Sequence, residues 1–171
     1  MKNILMTALA LTCAAGLNAQ DPLSADSKFW YTAIKGFVIR AAEKMPEANY
    51  SFKPSPDVRV FGQIVGHIAD DQYYFCSTAK GEQKSSDIEK TVTSKADLVS
   101  QLKQAFAYCD SVYNGMTDAQ GVEKVKTFAG EHTRISMLDF NTAHMYEHYG
   151  NIVTYMRIKG LVPPSSEKKE Q

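Results

Sequence analysis

The 171-residue chain carries 19 Lys and Arg against 19 Asp and Glu, with four histidines and three cysteines. That balance leaves no basic surplus to attract a phosphate backbone, so nucleic acid is excluded as an expected partner. With a leader set aside, about 150 residues remain, the size of one domain with a sizeable core.

The leader comes first. MKNILMTALALTCAAGLNAQ opens with Lys2, runs apolar from Ile4 to Ala15 and ends in small residues. This is the layout of a secretory signal peptide over residues 1–19, cleaved after Ala19. The apolar run falls short of the about 20 residues a permanent membrane helix needs. The expectation is an exported protein, periplasmic or secreted, with no membrane attachment after cleavage.

The first helix is expected from Ser24 to Met45, with Trp30, Ile34, Phe37, Val38, Ala41 and Met45 forming one apolar stripe. Pro46 ends it. A proline-rich connector, PEANYSFKPSPD, leads to a second helix from Asp57 or Val58 to Thr78, its buried face made by Phe61, Ile64, Val65, Ile68 and Phe75. The polar run GEQKSSDIEKTVT follows, long for a connection in a bundle.

Ser94, with Asp97 three residues on, caps a third helix. Its apolar residues Leu98, Leu102, Ala105, Phe106, Cys109, Val112, Tyr113 and Met116 keep the helical period. TDAQGVEKVKTFAGEH is an irregular link with an extended piece over Val122–Phe128. The fourth helix runs from Thr133 to Lys159, stopped by Gly160 and by Pro163-Pro164. The polar end SSEKKEQ, residues 165–171, is expected to be disordered. These elements predict an all-α four-helix bundle over residues 20–164.

Two histidines of the fourth helix carry the chemistry. His144 and His148 lie about 40° apart on the helix surface, with Met137, Asn141, Asn151 and Tyr155 near the same line. A stripe that should face the core is therefore polar in its middle, and buried polar groups need partners. A divalent metal held by two imidazoles at i and i+4 would satisfy them; a solvated pair on a half-exposed face would also fit the spacing. A third ligand has few sources. His132 lies about three turns before His144 and is read as a surface residue. His67, in FGQIVGHIADDQYYF, lies on the edge of the second helix's apolar stripe, beside Gly66 and near Gly62, which permit close approach of a neighbour. Alone it reads as a packed histidine; facing the other two it completes a His₃ site with open positions.

Among the carboxylates, HMYEH matches the inverted zincin pattern with Glu147 as base. The chain ends too soon after His148 to supply that class's further acidic ligand, and Glu147 reads as a rim or salt-bridge residue. Asp71, one turn after His67, is placed to orient that ring or to act as a fourth ligand; on a polar face it would be an ordinary exposed acid.

FGQIVGHIADDQYYFC together with NTAHMYEHYGNIVTYMRIKGLVPPSS resembles the DinB family, related to the YfiT-type metal-dependent enzymes, and AEKMPEANYSFKPSPDVR also fits, particularly for exported members. The resemblance covers nearly the whole mature chain. It implies His67, His144 and His148 as metal ligands, Zn2+ first and Ni2+ second, and a possible homodimer. It also implies a bundle whose second and third helices run parallel through a long crossover, which accounts for GEQKSSDIEKTVT. That arrangement would bring Cys76 and Cys109 level, close enough for a disulfide. The function implied is a metal-dependent hydrolase of an unknown small molecule. In it Asp71 or Glu147 accepts a proton, and Asn151 or Tyr155 donates a hydrogen bond to a substrate oxygen. The alternatives are a non-catalytic metal- or ligand-binding module and a thiol-dependent S-transferase. Relatives of the last kind use low-molecular-weight thiols of the cytosol, whereas this chain carries an export signal.

Overall fold

The computed structural model describes residues 21–168; the signal sequence expected over residues 1–19 lies outside the described residues. In chain order the elements are α1 (Pro22–Lys44), α2 (Phe61–Lys80), the one-turn α3 (Ile88–Thr91), α4 (Lys95–Gly115), the one-turn α5 (Asp118–Gly121), β1 (Lys124–Thr127), β2 (Gly130–Thr133) and α6 (Arg134–Ile158). Among the described residues no helix is long and apolar enough to cross a membrane.

Tyr31, Ile34, Val38, Ala41 and Met45 recur three and four apart, and all are buried. They set the core face of α1. The expected stripe began instead at Trp30, which is 57% exposed. Tyr31 lies closer to the mean direction of Ile34 and Val38, and its ring stacks on Tyr113 at 3.8 Å between centroids. Its hydroxyl has two acceptors within reach of its one proton, Asp110 at 3.0 Å and the Phe106 carbonyl at 3.2 Å, so the one polar atom it buries is satisfied.

The second helix begins at Phe61, later than Asp57 or Val58. The connector doubles back: Phe61 N–H donates to the Phe52 carbonyl and Gly62 N–H to that of Tyr50. These loop carbonyls accept from amides whose acceptors a preceding helical turn would otherwise have to supply. At the far end Gly81, in the left-handed region with φ 83°, closes α2.

The second and third long helices run parallel. Near their starts, the Gly62 position faces the Leu98 side chain; near their ends Cys76 and Cys109 form a disulfide with Cα atoms 5.4 Å apart. α6 runs antiparallel to α2, since Gln72 pairs with Asn141 while Arg59, just before α2, meets Tyr155 late in α6. α1 is antiparallel to α4, as Lys95 donates to the carbonyls of Glu43 and Met45. The parallel pair requires the crossover, residues 82–94, to travel the bundle's length. Asp70 secures it: its carboxylate accepts from Ser86 Oγ, Ile88 N–H and Glu89 N–H at 2.6–3.0 Å, capping α3 from another helix.

The extended piece expected over Val122–Phe128 appears as β1, over Lys124–Thr127, and pairs antiparallel with β2. The second strand, GEHT, has no apolar alternation to announce it. Part of the tail expected to be disordered is placed on the bundle: Ser165 N–H donates to Tyr149, and Glu167 bridges Arg40 and Lys44. Two cations on α1 hold that acid.

Candidate metal centre

α2 and α6, antiparallel and in contact, each present a short polar interruption at the same height. His67 and Asp71 stand one turn apart on α2, and His144 and His148 one turn apart on α6, so each pair aims at one point. One donor atom from each of the four lies within 4.8 Å of all the others. His67 Nε2 is 3.1 Å from Asp71 Oδ2, which is 3.2 Å from His144 Nε2. His144 Nε2 is in turn 3.0 Å from His148 Nε2.

The fit to a cation can be tested on these distances. Donors bound to one ion at about 2.0–2.2 Å stand about 3–3.5 Å apart, which the three contacts match. Asp71 Oδ2 is buried and makes no hydrogen bond. An anionic oxygen shut away from water needs a positive charge beside it, which a protonated His144, 3.2 Å away, or a cation at the centre of the cluster supplies. The two rings of α6 are poised differently. Burial first, and then the neighbouring imidazoles, push the His148 pKa down to about 4, so its ring is neutral and able to ligate at neutral pH. His144 is drawn the other way, upward, by its close polar contact with Asp71.

The surrounding shell was not visible in the sequence. Glu89, from the crossover, places Oε2 3.0 Å from His67 Nδ1 and Oε1 2.8 Å from Arg59 Nε. Phe140 stacks on His144 with planes 13° apart, and Phe75 meets the same ring edge-on. The only advance signal for Glu89 was the crossover's unusual length.

The remaining expected residues fall elsewhere. Glu147 is largely exposed and reaches His144 at the outer nitrogen, Nδ1, at 3.3 Å; it lies away from the centre of the cluster. Tyr155 donates its hydroxyl proton to the Arg59 carbonyl at 2.6 Å, so that proton is committed to tying the connector to α6. Asn151 is exposed and, with Arg59, Glu89, His148, Thr154 and Tyr155, lines an open cleft of about 600 Å³ beside the cluster. His132 sits on β2, exposed and opposite Val125, outside the site. The buried Asn141 finds its partner in Gln72, the two amides exchanging hydrogen bonds of 3.0 Å in each direction.

The family model described as the DinB superfamily matches residues 38–152, which include all four cluster residues. The chain belongs to the DinB superfamily. No curated protein matches it. Among solved structures, it is similar to a DinB-like protein of Bacillus cereus ATCC 10987 (TM-score 0.72, 15% identity, covering 82% of this chain and 95% of that one). It is also similar to a DinB-like protein of Bacillus subtilis (TM-score 0.68, 21% identity, covering 85% and 99%). A mutant of the mycothiol-dependent maleylpyruvate isomerase shares the fold at TM-score 0.63 and 10% identity, over 75% of this chain and 60% of that one. At these identities the likeness is one of fold. The His/Asp cluster of this DinB-superfamily chain can hold a metal ion.

Proposed function

We propose that this chain is an exported metal-dependent enzyme of the hydrolase type, with His67, His144, His148 and Asp71 holding one divalent cation, Zn2+ before Ni2+. The observation that carries the metal reading is Asp71 Oδ2, buried without a hydrogen bond and 3.1–3.2 Å from two imidazole nitrogens. Export is supported by the leader-like N-terminus and by the Cys76–Cys109 disulfide, a bond that persists in oxidising compartments.

Bound there, the cation supplies a Lewis acid able to polarise a substrate oxygen or to activate water for attack. The protein's own groups do the rest. Three histidines, ligating as neutral rings, add no charge of their own, and the Asp71 carboxylate offsets one unit of the ion's, so the site keeps a net positive charge. Asn151, on the cleft wall next to His148, is free to donate a hydrogen bond to a substrate oxygen; Tyr155 is not. Phe75 and Phe140 pack against the His144 ring and limit its freedom to turn.

The test is a screen of metal-loaded protein against esters, amides and thiol conjugates. Ester or amide turnover that disappears in His148→Ala and on chelation is the expected result. Turnover of thiol conjugates alone would favour the thiol-dependent chemistry named for the isomerase neighbour. No turnover with the ion bound would leave a metal-binding module.

A further inference from the structure

Resting on the metal reading above, we propose that Glu89 is a positioning residue. Its carboxylate accepts a hydrogen bond from Nδ1–H of His67 and so fixes the tautomer whose Nε2 lone pair faces the cluster. The fold of the crossover is thereby coupled to cation affinity.

A neutral imidazole has one N–H to give. His67 lies between two carboxylates, with Nδ1 3.0 Å from Glu89 Oε2 and Nε2 3.1 Å from Asp71 Oδ2. Only one of them can receive the proton. On Nδ1 it meets Glu89 with hydrogen-bond geometry and leaves Nε2 open to a cation; on Nε2 it would block the site and face Asp71 Oδ2 without that geometry. Arg59 Nη2 also lies 3.4 Å from Nδ1, but the shorter contact with an anion is the stronger. Arg59 acts instead on the other oxygen of Glu89, Oε1, holding it through Nε at 2.8 Å.

Two features of α2 deliver Glu89 to this position. A Cβ at Gly66 would stand 2.7 Å from Glu89 Cα and 2.9 Å from its amide nitrogen, so the crossover backbone can lie against α2 only because residue 66 has no side chain. Asp70 then accepts the Glu89 amide at 3.0 Å. His67, between these two positions, meets the carboxylate so delivered. A surface ion pair between Glu89 and Arg59 would need neither the close approach nor the clamp.

Full-length wild-type, Glu89→Gln and Arg59→Met proteins are compared by zinc competition against a chromophoric chelator and, metal-free, by nitrogen-15 NMR of the histidine rings. The expected result for Glu89→Gln is a zinc affinity lower by about 10–100-fold, with binding stoichiometry and helical content unchanged. The His67 ring should also shift from the Nδ1-protonated tautomer of the wild type toward the other. Arg59→Met should keep the wild-type tautomer and lose less affinity. Wild-type affinity and tautomer in Glu89→Gln, or equal losses in both variants without a tautomer change, would overturn the role of Glu89 and leave the metal site standing. Failure of the wild type itself to take up zinc would remove the site and this proposal together.

Discussion

Alanine in place of His67, His144 or His148 is expected to take bound divalent metal from one ion per chain to none detectable, with helical content at its wild-type level. Each substitution removes one of the four donors that converge among the described residues. An i, i+4 pair alone is a weak chelate, and the α2 donors are needed to close the site. The helices do not depend on the cluster for their packing. Phe61, Val65, Ile68, Leu102, Phe106, Leu138, Met145 and Ile152 are buried independently of it, and burial of such side chains contributes roughly 1.5–3 kcal/mol each. Metal analysis with far-ultraviolet circular dichroism checks both halves. Undiminished metal in all three variants would mean that the ion binds elsewhere.

Replacing Cys76 and Cys109 together with alanine should lower the free energy of unfolding by about 3–4 kcal/mol, the loop-entropy value for a closed loop of this size, the cysteines being separated by 33 residues. The bond joins the late turns of α2 and α4, the parallel pair that forms the bundle's largest helix–helix contact. It therefore ties together two elements that no short turn can connect. Chemical denaturation of oxidised, reduced and doubly substituted protein measures the effect. Unchanged midpoints, or two free thiols in the denatured wild type, would contradict it.

Helix identity was legible because the core residues of α2, α4 and α6 recur at helical spacing in the sequence itself. The direction of the chain was not, since periodicity does not distinguish up from down. Only the length of residues 81–93 pointed to a crossover, and family resemblance gave the reason. On α1 the stripe expected to begin at Trp30 begins at Tyr31, because both adjacent aromatic residues stand at helical spacing from Ile34 and spacing alone does not choose between them. Packing selects the tyrosine, whose hydroxyl finds the Phe106 carbonyl.

The site divides along the same line. His144 and His148 announce themselves by spacing, and the polar middle of the α6 stripe correctly signals buried groups in need of partners. Those partners differ from one residue to the next: an amide from Gln72 for Asn141, a loop carbonyl for Tyr155, and the four-donor cluster for the histidines. Glu89 was hidden because it belongs to a segment without a period, and its contact with His67 spans 22 positions. Only the folded crossover, admitted by Gly66 and clamped by Asp70, brings it within reach.

Metal content of the untagged protein, purified without chelator and then titrated with zinc, tests the four-residue centre most directly. One equivalent of divalent ion per chain, in native protein or after loading of stripped protein, is the predicted result. A chain that carries no divalent metal and takes none up at micromolar zinc would contradict it, and the buried Asp71 oxygen would then need some other counter-charge.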